Sequence, residues 1–274
     1  MDRPMSIRSR LRQLLTRPPP APQKPPQAPL RPSPHVRPVP WSLQDPGLTG
    51  PLGPLLDPDL QAALASGDPT TVLRPLAPGL HRLTVLSDEA RARVLAELRH
   101  AQDAAARGQL ELAPPNSMNQ AGVQLADIQL TALAEALCHE VVAPLASAFP
   151  RLGPVTLGDP HGFSVSYGNG ADRSLGFHAD DATVTLNLCL DTDADGAEVV
   201  FEGVRCIDHR QDLHRPEERA VWSPLPGEAL LHLGAHRHRT LPIGRGARTN
   251  LVIWCRDADR VDLAGCGPWC GHED

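Results

Sequence analysis

"GFHADDATVTLNLCL", residues 176–190, opens with a His and two Asp and then alternates Thr, Val, Thr, Leu, Asn, Leu. Such alternation is the pattern of a strand with one buried face. Thr183, Thr185 and Asn187 fall on one side; Val184, Leu186 and Leu188 fall on the other. On the extended chain His178 and Asp180 point the same way, so both can reach one ion. Asp181 offers a second carboxylate, but alternation turns it to the opposite face.

Short alternating segments continue on both sides of this stretch. After Pro154 come "GFSVSYG" (162–168), "AEVVFEG" (197–203), "EALLHLG" (228–234), "HRHRTLPI" (236–243) and "ARTNLVIWCR" (247–256), separated by Gly, Pro and Asp. That spacing predicts an antiparallel sandwich or barrel. Helical signals precede it. "LLDPDLQAALASG" (55–67) reads as a short helix stopped by Gly67. "LSDEARARVLAELRHAQDAAARGQ" (86–109) has Ser87 as its N-cap and acids in its first turn. "QLADIQLTALAEALCHEVVAPLASAF" (124–149) reads as a longer helical stretch. The fold class is therefore α+β, with helices supporting a β-barrel.

The predicted organisation has three parts: a basic Pro-rich tail over 1–45, a folded domain over 46–258 and a short tail over 259–274. Within the domain, 46–153 is the helical support and 154–258 the barrel. Residues 18–40 hold eleven prolines, too many for a packed core, and predict an extended, disordered segment. A solvated linker is the plain reading of that segment; an SH3- or WW-type docking arm is the alternative. "MDRPMSIRSRLRQLLTR" (1–17) is Arg-rich with one acid, which leaves an organellar transit peptide beside the cytoplasmic reading.

The 274 residues suffice for one sizeable core. With aromatic residues at 3%, that core must be mostly Leu, Val and Ala. The net charge of −6 conceals a basic tail on an acidic body, which speaks against nucleic-acid binding. No apolar run is long enough for a membrane helix. Neither a Gly-rich phosphate loop nor a Gly-x-Ser-x-Gly elbow is present. The six cysteines do not establish disulfides in a chain of this length. Cys189 and Cys255 sit in apolar strands and read as packed rather than nucleophilic. Cys266, Cys270 and His272 do not form a standard zinc half-site, and no partner pair stands out, so no zinc is expected there.

A His-x-Asp pair supplies two-thirds of the facial triad of non-haem Fe(II) sites. The rest is sought in "PGEALLHLGAHRHRTLPIGRGARTNLVIWCR" (226–256). His238 and Arg248 straddle the turn around Pro242–Gly246. A hairpin closed there would set them opposite each other on adjacent strands. A small dicarboxylate could then chelate a metal at one end and accept a bidentate Arg bond at the other. His236 shares the parity of His238, and His232 reads as a polar strand residue. Arg248 shares a face with Asn250, Val252 and Trp254.

In this region the chain resembles the 2-oxoglutarate- and Fe(II)-dependent dioxygenases, in the branch of the prolyl and lysyl (procollagen-type) hydroxylases. That family's pattern is a strand Tyr, then His-x-Asp, an Asn nine residues after the His, a distal His, and an Arg ten residues beyond it. Tyr167, His178, Asp180, Asn187, His238 and Arg248 stand at those spacings. The "His…Leu-Pro…Gly-x-Arg" stretch reads "HRTLPIGRGAR" here, and "GAEVVFEG" replaces the usual second Gly with Ala197. The likeness covers about residues 155–256.

The resemblance implies a double-stranded β-helix (jelly roll). It implies His178, Asp180 and His238 as Fe(II) ligands, and Arg248, Tyr167 and Asn187 as contacts of 2-oxoglutarate. The Leu-Pro and Gly-x-Arg spacing selects His238 over His236, leaving His236 and Asp181 beside the centre. It implies O2 as co-substrate, L-ascorbate as the reductant that restores Fe(II), and hydroxylation of a C–H bond. The implied substrate is a prolyl or lysyl side chain of a protein. A free amino acid or other small molecule is the alternative, and a non-catalytic metal-binding barrel is the rival outside enzymology.

Overall fold

The computed structural model describes residues 41–149, 152, 155–168, 170–206, 208–209, 212–257, 266 and 270–271. The tail before Trp41, with its transit-peptide and docking-arm readings, lies outside them, as does His272. Among the described residues thirteen strands are formed. The first four are β1 (Arg74–Ala77), β2 (Leu80–Thr84), β3 (Gly122–Gln124) and β4 (Leu157–Gly168). Next come β5 (Leu175–His178), β6 (Val184–Thr192), β7 (Asp195–Gly196), β8 (Val199–Val204) and β9 (Arg219–Trp222). The last four are β10 (Glu228–Leu233), β11 (His236–Thr240), β12 (Ile243–Arg245) and β13 (Ala247–Asp257).

Seven strands make a major sheet in the order β1-β2-β10-β6-β13-β4-β3, and four make a minor sheet in the order β5-β11-β8-β9. Every pairing between two of these strands is antiparallel. The two sheets face each other as a jelly roll. Leu80, Cys189 and Leu230 of the major sheet pack against Val199, Phe201 and Trp222 of the minor one.

Alternation assigns the faces of the major sheet. Leu186 and Leu188 of β6, Leu231 of β10 and Leu251 and Ile253 of β13 turn outward into one core shared with the helices. The intervening residues turn inward between the sheets. Each fully buried Leu or Ile contributes about 1.5–3 kcal/mol through its removal from water.

Helix α1 (Pro58–Ser66) is capped by Asp57, whose carboxylate accepts from the N–H groups of Asp59 and Leu60, and it ends at Gly67 with φ 80°. Helix α2 (Asp88–Ala106) starts at Ser87, whose hydroxyl accepts from the N–H of Ala90, as predicted. Its buried stripe of Ala90, Val94, Leu98 and Ala101 joins the outer core. Among the described residues, no helix is long and apolar enough to cross a membrane.

Three expectations change. The stretch 124–149 is not one helix. It begins as a 3-10 turn that Gln129, at φ 62°, brings to an end. Leu130 N–H then bonds back to Leu125 O, the closing bond of a helix C-terminus. Only then does α3 (Thr131–Ala136) begin, and it passes into a π-turn over Leu137–Val142. Second, the helical support also holds three strands. β1 and β2 form a hairpin at Gly79, and β2 pairs with β10, so the partner that makes it a strand lies far along the chain. Third, "HADDATVTLNL" is not one strand. β5 stops at His178, and β6 starts at Val184 in the other sheet.

Candidate metal centre

The site starts from a strand pair. β5 and β11 run antiparallel with His178 and His238 as Cα partners. Directly opposed residues point to the same face, so the two imidazoles meet with ring centroids 4.2 Å apart. Phe201 of β8 stacks behind the His238 ring at 5.1 Å and 20°. The Nδ1 atoms lie 2.8 Å from the carbonyl oxygens of Gly176 and His236, respectively. A carbonyl only accepts, so each Nδ1 carries a proton and each Nε2 is the ring nitrogen left to face the cavity.

Asp180 comes from the loop beyond β5. Its N–H donates to Gly234 O at 2.9 Å, and Gly234 N–H donates to Thr183 O at 3.0 Å. That close approach needs glycine: a Cβ on Gly234 would lie 1.8 Å from Ala182 O. Thr185 Oγ1 donates to Asp180 Oδ2 at 2.8 Å. Oδ1 is left 3.6 Å from His178 Nε2 and 3.7 Å from His238 Nε2. The three donor atoms lie within 4.8 Å of one another. A divalent ion with right-angled bonds near 2.1 Å needs about 3 Å between ligand atoms, so a small inward movement brings these residues onto one ion. Two imidazoles and one hard carboxylate suit non-haem Fe(II).

The electrostatics agree. Burial, then the neighbouring His238, depress the His178 pKa to about 4. The ring is therefore neutral near pH 7, as a ligand must be. Burial pushes the Asp180 pKa upward, but His238, His232, His178 and the Thr185 hydrogen bond together hold it below the usual carboxylate value.

The choice of Asp180 over Asp181 has a different cause from strand alternation. Both lie in the loop, where parity has no meaning. Asp181 points outward, its side chain 82% exposed and ion-paired to Arg256 at 3.0 Å. The predicted hairpin between His238 and Arg248 is absent. β11 belongs to the minor sheet and β13 to the major one, while β12 between them pairs with β7. His238 and Arg248 nevertheless line one cavity, each from its own sheet.

Arg248 is 3% exposed. Its Cβ-to-guanidinium stem brings Cζ 4.7 Å over the ring of Tyr167, its Cα partner on β4. Nη1 donates to Ala197 O, and Nε is buried without a hydrogen-bond partner. Among the described residues Arg248 has no carboxylate within ion-pair distance, and burial lowers its pKa. A buried guanidinium in this state is costly unless an anion joins it.

Tyr167 and Asn187 also line the cavity. Tyr167 OH accepts from Asn119 Nδ2 at 3.3 Å and from Thr240 Oγ1 at 3.4 Å. Asn187 Oδ1 accepts from Asn250 Nδ2 at 2.6 Å.

Two groups were missed. His232 is fully buried with Nε2 3.7 Å from Asp180 Oδ2, packed beside the carboxylate without a hydrogen bond to it. Its inward parity with Leu230 was the available signal. The loop holding Asn116, Met118 and Asn119 closes another wall of the cavity, and no periodicity marks it. His236 is buried against the ring of Phe201, with Nδ1 3.4 Å from Gly79 O, and does not line the cavity.

The OGFOD2-like domain family matches residues 58–153. Among solved structures, a Pseudomonas putida prolyl-4-hydroxylase overlays with a TM-score of 0.43 and 19% identity, over 71% of this chain and 98% of that one. The 2-oxoglutarate and iron-dependent oxygenase domain-containing protein ICU11 of Arabidopsis thaliana is 34% identical over 71% of this chain and 50% of its own length. The 2-oxoglutarate and iron-dependent oxygenase domain-containing protein 2 of Xenopus tropicalis is 31% identical over 71% of this chain and 53% of its own. The chain thus spans about half the length of the curated relatives it matches. On these relatives and the family match, the chain is similar to the 2-oxoglutarate and iron-dependent oxygenase domain-containing proteins.

Proposed function

We propose that this protein is a dioxygenase that hydroxylates a substrate C–H bond, with His178, Asp180 and His238 holding Fe(II) and Arg248 receiving 2-oxoglutarate. The carrying observation is that one cavity joins a three-donor cluster to a buried guanidinium that has no carboxylate partner among the described residues. Iron held there would supply the oxygen chemistry, in which 2-oxoglutarate, O2 and a substrate C–H bond give succinate, CO2 and a hydroxylated substrate.

The chain's own residues do the positioning. The Nδ1 hydrogen bonds hold both imidazoles in the ligating tautomer. The Thr185 hydroxyl orients the Asp180 carboxylate. Arg248 binds the distal carboxylate of 2-oxoglutarate, and the Tyr167 ring and hydroxyl with Asn187 shape the same wall. Phe163, Val252 and Trp254 make the cavity floor apolar, which limits water.

The substrate is a prolyl or lysyl side chain of a protein, on the branch resemblance. L-ascorbate keeps the iron reduced. The test is aerobic incubation of the purified chain with Fe(II), ascorbate, 2-oxoglutarate and a peptide pool. Succinate is measured together with the gain of one oxygen atom by mass spectrometry. Succinate in step with oxygen gained on Pro or Lys supports the reading. Oxygen gained only on free amino acids replaces the substrate class. No 2-oxoglutarate turnover under any of these conditions overturns the enzyme.

A further inference from the structure

Four side chains outside the cavity converge at the far end of β8. Cys206, His209, Cys266 and Cys270 place one donor atom each within 4.8 Å of all the others. Cys206 Sγ lies 3.0 Å from His209 Nδ1, and Cys270 Sγ lies 4.0 Å from the same nitrogen. Cys206 and Cys270 are free thiols. The backbone is arranged to receive thiolates: the N–H of Cys206 donates to Cys270 Sγ at 3.4 Å, and the N–H groups of Asp208 and His209 turn toward Cys206 Sγ. Hydrogen bonds of this kind favour the charged form of sulfur.

Cys270 and Gly271 are seated by contacts that involve no ion. Gly271 N–H donates to Val204 O at 2.9 Å, continuing β8 beyond its pairing with β9. A Cβ on Gly271 would lie 2.5 Å from Glu218 Oε1 and 2.7 Å from Arg205 Nη1. Those two form a buried bidentate pair, Arg205 Nη1 to Glu218 Oε1 at 3.0 Å and Nη2 to Oε2 at 2.8 Å. The cluster thus rests on a rigid base.

We infer a structural zinc site formed by Cys206, His209, Cys266 and Cys270. Three sulfurs and one imidazole are the ligand set of a closed tetrahedral Zn site. With Zn–S near 2.3 Å and Zn–N near 2.0 Å, a tetrahedron sets donor atoms about 3.5–3.8 Å apart, within the observed spread. Four protein donors leave no open position, so the ion has no catalytic part. It staples the chain beyond β13 to the end of β8, the strand whose Phe201 backs His238. The upstream half is Cys206-x-x-His209, which a reading confined to Cys266, Cys270 and His272 does not find.

The test uses the full chain, purified with reductant and without chelator. Total metal analysis should give about one zinc per chain, released when a mercurial thiol reagent is added. Replacement by Co(II) should give a sulfur-to-cobalt charge-transfer band and the strong visible bands of tetrahedral cobalt. The double variant His178→Ala/His238→Ala should keep that signature, because it removes only the other centre. Cys206→Ser should lose it. If that variant fails to fold, the wild-type cobalt spectrum decides alone. Free thiols with no cobalt–thiolate band, or a Cys206–Cys270 or Cys206–Cys266 disulfide that persists under reductant, would overturn the site.

Discussion

His178 and His238 are opposed Cα partners on β5 and β11, and their rings meet at 4.2 Å because the ladder leaves them no other direction. The third donor is held by a loop whose backbone locks onto Gly234. The centre therefore depends on two different supports, a strand pair and a turn, and these can be tested apart.

Asp180→Asn and Asp181→Asn separate the two carboxylates. With the cysteine cluster kept filled by zinc, the first should abolish tight Co(II) binding at the His178–Asp180–His238 centre. The second should leave binding unchanged and cost at most about 1 kcal/mol, since it breaks only an exposed pair with Arg256. Calorimetric titration with Co(II) measures both; equal losses would discard the assignment.

Gly234→Ala tests the loop. The new Cβ meets Ala182 O, so the 180–183 loop must move. Metal affinity should fall at least about tenfold, as for other losses of ligand support, with a lowered melting temperature. A variant with wild-type affinity would show that the turn does not position Asp180.

Arg248→Met removes a buried charge that has no carboxylate partner. Without co-substrate the variant should be as stable as the parent, or more so. Its thermal stabilisation by 2-oxoglutarate should disappear, with affinity lowered by about 100-fold or more. Co(II) binding should persist. Loss of metal with 2-oxoglutarate binding retained would reverse the two roles.

Acid should weaken the metal-free protein. Burial depresses His178 and His232 to about 4 and His236 to about 3. The unfolded chain takes up protons near pH 6.5, whereas the folded chain does so only nearer pH 3–4. Stability is thus complete above pH 6.5 and falls as pH drops toward 4, by roughly 1.4 kcal/mol per pH unit for each proton taken up. Denaturant titrations at pH 7, 6 and 5 check the sign; a flat profile would mean that these rings are not buried neutral.

Ser87 as a cap, Gly67 as a stop, and the inward and outward faces of β6 and β13 were legible in the residues, because each depends on neighbours a few positions away. β2 was not: "LHRLT" has weak alternation and becomes a strand through its partner β10. Gln129 in the left-handed region likewise broke a helix that periodicity alone extends.

The donor identities at the centre belong to the chain's own spacing: His178 with Asp180, and His238 ten residues before Arg248. Tertiary structure decided which of the Asp pair turns inward, put His238 and Arg248 on facing sheets instead of one hairpin, and brought His232 against Asp180. It also joined Cys206 and His209 to Cys266 and Cys270. Local periodicity encodes which way a side chain points from its own strand. Which distant strand it then meets is set by ladder pairing and sheet packing, which no short window of sequence contains.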